Sequence, residues 1–326
     1  MTAGLARLAL VAAVLALAWW VRDGFGDVAG ALDTAGLSGV LIISLYHVLP
    51  MTLCGMSWYA LQTDSSERRG IWVFTMGRWI KDGVGELAGF LPLSGEVAAI
   101  RHLTCFGFRP AMSGAMVVVD VTAEAIAQFF FSILGVGMWL WRYPDSEITR
   151  WGLIALGISI PVLFALVAVQ RSWFVHFLES LPSKLMPQTW EAPEQETGVL
   201  ASIHELYEKK SRVVASVIWH TLAWVAGGLE AWIALYLLGH PLSVADILAM
   251  ESIIFAIRSI AFVVPAAIGL QEGGYMIVGA ILGLSTEVAL ALSLLKRGRE
   301  LLLGIGALLA WHFVEGGAAK RRQAES

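Results

Sequence analysis

The chain has 326 residues, 57% of them hydrophobic and 15% charged, with a formal net charge of -4 and a mean hydropathy of +0.71. A soluble domain is about a quarter charged, so this composition excludes an ordinary soluble or disordered protein and leaves no basic surface for nucleic acid. Two cysteines, Cys54 and Cys105, both in or beside apolar runs, argue against a disulfide scaffold and a cysteine metal centre.

A helix that crosses a bilayer needs about 20 largely apolar residues. The first such run, 4–21, contains Arg7 and closes on Trp19 and Trp20 instead of a small-residue cleavage site. It reads as an uncleaved first membrane helix, with a signal peptide as the other reading. An acidic loop with Asp23, Asp27 and Asp33 leads to a second span, 37–60. The next stretch, 71–97, is apolar but broken by Pro92, glycines and charge. Spans at 111–140 and 151–170 follow, with Trp139, Trp141 and Trp151 where a bilayer interface favours tryptophan, as Trp311 is later.

The polar region 171–212 opens with an amphipathic stripe of Trp173, Phe174, Phe177, Leu178 and Leu181, read as a cytoplasmic interfacial helix and linker. A further span, 213–238, precedes a second broken stretch, 246–284. The last span, 287–315, is interrupted by Lys296, Arg297, Gly298, Arg299 and Glu300.

Counting Lys and Arg near the span ends places both termini in the cytoplasm with six full crossings. That count closes only if 71–97 and 246–284 each leave and return on one face, as broken or re-entrant elements. The expected fold is therefore an all-α polytopic membrane protein, one integral domain over 1–326. Within it, Pro92 and Pro265 lie 173 positions apart, and Glu96 and Glu272 lie 176 apart. These spacings suggest an inverted repeat with units at about 37–140 and 213–315. Broken hydrophobic segments at matching places in two halves point to a transporter's central site. Chance recurrence of Pro and Gly in an apolar chain is the alternative.

Ionisable residues inside spans are costly and face the protein interior or water. Asp120, Glu124 and Gln128 fall on one helix face by their spacing of four. Lys296, Arg299 and Glu300 do the same in the last span, and the two sets are expected to neutralise one another. Pro92 and Gly95, with Pro265, Gly269, Gly273 and Gly274, are the expected structural breaks. A helix broken there can turn its N-terminus towards an anion. Arg78 and Arg258 offer charge suited to a lipid phosphate, with Glu96, Gln271 and Glu272 beside them. For each arginine, snorkelling to the interface is the alternative, and for the whole set a purely structural salt-bridge network is. The seven histidines have no metal-site spacing, no nucleotide loop or nucleophile elbow appears, and neither cofactor nor catalytic constellation is expected.

Three parts of the chain carry a resemblance: residues 57–61 (SWYAL), the segment GRWIKDGVGELAGFLPLSGEV, and IRSIAFVVPAAIGLQEGG with the later LSLLKRGREL. Together they resemble the hopanoid-biosynthesis-associated membrane proteins of the HpnL type. That branch lies within the wider family similar to the transmembrane region of lysylphosphatidylglycerol synthase. The resemblance implies flippase-like movement of hopanoids or related polar lipids in the bacterial inner membrane, with membrane lipids and hopanoid-pathway proteins as partners. A scaffold for hopanoid biosynthesis is the second expectation, and an intramembrane enzyme acting on a lipid headgroup a third. The chain ends ten residues after Gly316, with no stretch resembling the synthases' soluble domain, so aminoacyl transfer to lipid is not expected.

Overall fold

The computed structural model describes residues 26–62, 69–88, 93–169, 198–260 and 269–325. The expected first span (4–21), Pro92, Pro265 and the amphipathic stripe 171–186 lie outside them. Every element among the described residues is an α-helix: α1 Gly26–Leu61, α2 Ile71–Leu87, α3 Ser94–Cys105, α4 Pro110–Arg142 and α5 Glu147–Val169, then α6 Gly198–Glu208, α7 Lys210–Leu237, α8 Val244–Ile260, α9 Leu270–Ile281 and α10 Thr286–Glu325. Helices are what such a chain must form, because in hydrocarbon every backbone polar group has to be satisfied within its own segment.

Three stretches among the described residues are long and apolar enough to cross a membrane: Ala35–Leu61, Pro110–Arg142 and Lys210–Leu237. Among the described residues the longest helix is α10, which has 40 residues and carries the Lys296 to Glu300 charges in its first half. The distribution of side chains is inside-out. Leu37, Leu41, Leu45 and Leu49 form an exposed stripe on α1, and Leu302, Ile305, Leu309 and Phe313 form one on α10. Charged and polar groups such as Asp120, Glu230, Glu251 and Lys296 are buried instead. Water would select against that arrangement and a lipid surround favours it. Trp141 is exposed, as an interfacial residue would be. Trp139, expected beside it, is 1% exposed and packs in the core, its indole N–H directed at Ser146 Oγ at 3.4 Å.

The two broken stretches each resolve into a longer and a shorter helix. Within the described residues α2 and α8 each cover 17 residues, and α3 and α9 each cover 12. The shorter helix of each pair starts from a residue in the left-handed region, Leu93 (φ 60) before α3 and Gly269 (φ 81) before α9. Each ends on a left-handed glycine, Gly107 (φ 92) and Gly283 (φ 82). The closing backbone bonds match as well: Phe108 N–H donates to Leu103 O at 3.2 Å, and Leu284 N–H to Gly279 O at 2.9 Å. This is the helix-terminating geometry in which a left-handed residue lets the chain fold back on the last turn.

Packing is reciprocal between the halves. Helices α1 and α7 lie against each other. α1 packs on α10 while α7 packs on α4, and α2 packs on α10 while α8 packs on α4. Without a hydrophobic drive between helices in lipid, close contact must come from small residues. A Cβ on Gly83 of α2 would fall 2.4 Å from Ala307 Cβ and 3.1 Å from Gly304 Cα of α10. On α1, a Cβ at Gly55 would fall 2.8 Å from the Thr75 backbone of α2.

Gly83→Val should force α2 off α10, with an overpacking cost of about 1–3 kcal/mol, read as a lower midpoint of thermal unfolding in detergent. At position 93, where the backbone is left-handed, Leu93→Gly should be more stable than Leu93→Ala by about 1 kcal/mol in the same measurement.

Candidate functional site: a charged cavity within the helix bundle

A cavity of about 560 Å³ is lined by α1, α2, α3, α4, α7, α8 and α10. Its chemistry divides into two groups of buried charge. The first is built on α2 and α4. One turn of α2 brings Arg78 and Lys81 to the same side, and the spacing of four on α4 aligns Asp120 with Glu124. The Arg78 guanidinium meets Glu124 at 2.5 and 2.9 Å, its own-helix neighbour Asp82 at 2.8 Å and Asp120 at 3.5 Å. Lys81 Nζ donates to Asp120 and to Glu124, both at 3.1 Å. From α7, His220 Nε2 lies 2.6 Å from Asp120 Oδ1, and Ser57 Oγ of α1 donates to the same oxygen at 3.4 Å.

The second group is built on α10, α7 and α1. Arg299 Nη1 lies 3.0 Å from Glu230 Oε1, and Nη2 reaches Glu300 at 3.3 Å. His47 Nδ1 of α1 lies 2.5 Å from Glu230 Oε2 and 2.5 Å from Arg299 Nη1. Lys296 Nζ donates to Glu251 of α8 at 2.6 Å, and Tyr275 Oη donates to the other oxygen of Glu251 at 2.6 Å. The Lys296 ammonium also stands 5.3 Å from the Phe255 ring centroid, within cation–π range.

Of the residues singled out in the sequence, Arg78, Glu96, Glu124, Lys296, Arg299 and Glu300 line this cavity, and Asp120 lies directly behind its wall. Gln128 lines it too and donates to the Phe255 carbonyl at 3.3 Å. The expected neutralisation of Asp120 and Glu124 by Lys296 and Arg299 does not occur. Each set finds opposite charge nearer at hand, Arg78, Lys81 and His220 for the acids and Glu230 and Glu251 for the bases. Gln271 and Glu272 sit apart from the cavity. Gln271 Nε2 donates to Ser293 Oγ at 3.1 Å, while Glu272 accepts from the Gly269 N–H at 2.8 Å and from Arg297 Nε at 3.2 Å. Glu272 thus caps α9 from inside its first turn, as an acid at the third helical position does. Of the expected breaks, Gly269 begins α9, whereas Gly273 and Gly274 are ordinary interior residues of it. Gly95 lies in the first turn of α3, where a Cβ would come within 2.4 Å of the Lys81 carbonyl oxygen. Arg258 belongs to α8, and its side chain lies outside the described residues.

Seven partners were missed by the sequence reading: Lys81, Asp82, Glu86, His47, His220, Glu230 and Glu251. Glu230 had a usable signal, a lone carboxylate inside the apolar run 213–238, and so did the 173-residue separation of His47 and His220.

An apolar outer surface around a buried, charged cavity defines a helical membrane protein whose polar groups serve its interior. A model of the lysylphosphatidylglycerol synthase TM region matches residues 4–307, and the chain belongs to that family. The membership ties the protein to a membrane-lipid-related function. No curated protein and no solved structure matches the chain.

Removing one member of a buried ion pair strands the others, at a cost of about 3–5 kcal/mol. Asp120→Ala should therefore destabilise strongly, leaving Lys81 and His220 short of an acceptor. The pair Asp120→Leu with Lys81→Met should cost less than the sum of the two single changes, measured by thermal unfolding in a double-mutant cycle.

Proposed function

We propose that the protein is a flippase-like transporter that carries the polar headgroup of a membrane lipid, a hopanoid or a related amphiphile, across the bacterial inner membrane. The observation that carries this reading is the cavity of about 560 Å³ lined by charge inside a bundle whose outer face is apolar. A headgroup fits that volume, while the lipid's apolar body can remain outside among the exposed leucines. Six spans with both termini in the cytoplasm and two re-entrant elements complete the topology. The matching helix lengths, the matching left-handed turns and the reciprocal packing support an inverted repeat, whose halves would move against one another to expose the cavity on alternate sides.

The charge balance favours one class of headgroup. Among the described residues, Asp82, Glu86, Glu96, Glu124 and Glu300 line the cavity, and Asp120, Glu230 and Glu251 bond directly to lining side chains. By the same measure five cations stand against these eight carboxylates: Arg78, Lys81, Lys296 and Arg299 line the cavity, and Arg297 bonds to Glu300. Arg78 is already engaged by three carboxylates, so it does not offer a free phosphate site. An ammonium or a polyol suits the surplus of acceptors, and a bare anion does not. The proposed role is non-catalytic and needs no cofactor, with hopanoid-pathway proteins as possible membrane partners.

One observation favours a second reading. Most of the buried charges are already paired within the protein, as a purely structural network would be, and this suits a scaffold for lipid-modifying enzymes. Charge-neutral substitutions at Asp120 and Lys296 that keep protein abundance would then leave lipid distribution intact.

The deciding experiment reconstitutes the protein with acyl-labelled phosphatidylethanolamine, acyl-labelled phosphatidylglycerol or a polyhydroxylated hopanoid and follows transfer between leaflets. Faster movement of the ammonium or polyol headgroup than of the anion, lost in Glu124→Gln, is expected. Absence of transfer for all three would overturn the reading.

A further inference from the structure

Two histidines occupy matching places in the bundle. His47 lies in α1 and His220 in α7, 173 positions apart, on the two helices that pack against each other. Both line the cavity, and each ring stands against a carboxylate that is 0% exposed, Glu230 for His47 and Asp120 for His220. The neighbours of His47 make opposite demands on one atom. Its Nδ1 is 2.5 Å from a Glu230 oxygen, which can only accept, and 2.5 Å from an Arg299 nitrogen, which can only donate. With a proton on Nδ1 alone the neutral ring donates to Glu230 and can accept from Arg299 on Nε2, 3.4 Å away; with both nitrogens protonated it must release Arg299. Bare, Nδ1 accepts from Arg299 and leaves Glu230 to the guanidinium. A second proton on the ring therefore competes with Arg299 for His47.

The surroundings let such a competition move charge in the cavity. His220 bonds to Asp120 of α4, whose oxygen Ser57 of α1 shares, and lines the cavity with Glu124 of α4, Arg78 and Lys81 of α2 and Cys54 of α1. His47 faces Glu230 from α7, Lys296, Arg299 and Glu300 from α10, and Asp82 and Glu86 from α2. Histidine is the side chain whose ordinary charge change falls near neutral pH. Each proton taken up by either ring cancels one unit of the carboxylate surplus.

We propose that His47 and His220 are paired proton-binding sites that couple proton movement to the transport of a polar or ammonium headgroup in the opposite direction. The inference rests on the transport reading above. Protonated rings add positive charge beside the cavity and weaken its hold on the headgroup, whereas neutral rings leave the lining carboxylates with less opposing charge. Binding of proton and headgroup is then mutually antagonistic, and by linkage each weakens the other by the same factor. The proton enters and leaves on imidazole nitrogen, with no covalent bond to the lipid made or broken.

The test uses the whole protein in vesicles containing acyl-labelled phosphatidylethanolamine, with a pH gradient of one unit imposed across the membrane. One coupled proton per lipid allows a steady-state leaflet ratio of up to about tenfold, reversing sign with the gradient. His47→Gln and His220→Gln keep a hydrogen-bonding side chain without a titrating one. The double variant should lose the gradient-driven accumulation, whatever rate of transfer it retains. Wild-type protein that moves the lipid but leaves it evenly distributed under the gradient overturns the coupling and spares the transport reading, an outcome that needs no variant to fold. Wild-type protein that moves no lipid at any pH overturns both. Accumulation that persists in the double variant, or that a sodium gradient drives equally well, overturns the assignment to these histidines.

Discussion

The constraint on which the structure depends is the cost of holding charge away from water. An isolated ion in a low-dielectric interior costs several kcal/mol even after relaxation, and a pair recovers that only with good geometry. Asp120 meets this by drawing donors from three other helices: Lys81 and Arg78 of α2, His220 of α7 and Ser57 of α1. Glu230 does so with Arg299 of α10 and His47 of α1. These contacts tie together helices that lipid alone gives little reason to associate. A hydrophobic replacement of equal shape would hold the bundle as well or better, so the network specifies which helices meet more than it adds stability.

Close approach makes the contacts possible. Arg78 and Lys81 reach α4 from an α2 whose Gly83 fits beside Gly304 and Ala307 of α10, and Gly95 lets α3 sit directly on the Lys81 carbonyl. Small residues thus set the spacing at which the long basic side chains find their acids. Five carboxylates line the cavity against four cations, and the family's link to membrane lipids gives that charged lining a chemical context. A site made of side chains from seven helices can change shape when those helices shift, which a site on one helix could not.

The membrane class was legible because it depends on composition and run length alone. So was the placement of Asp120, Glu124 and Gln128 on one face, since the helical period places residues four apart together whatever they touch. Lys296, Arg299 and Glu300 were found for the same reason. Their partners were not. The within-helix reading offered Lys296 and Arg299 as counter-charges for Asp120, but Lys81 sits on the adjoining helix and takes that place. Gln271 and Glu272 looked like site residues because they follow the second expected break and belong to the motif that carries the resemblance. The turn that starts α9 directs Glu272 to its own helix cap and to Arg297, so the two halves resemble each other in backbone more than in use.

By itself the sequence determined that this chain is helical and belongs in a membrane, because hydrophobic run length and helical period are local properties. Only the tertiary structure decided which charges meet, that His47 and His220 each stand against a buried carboxylate, and which acids face the cavity. Those outcomes depend on how helices distant in the chain cross and how closely they approach. No local pattern encodes the angle or the distance at which one helix meets another.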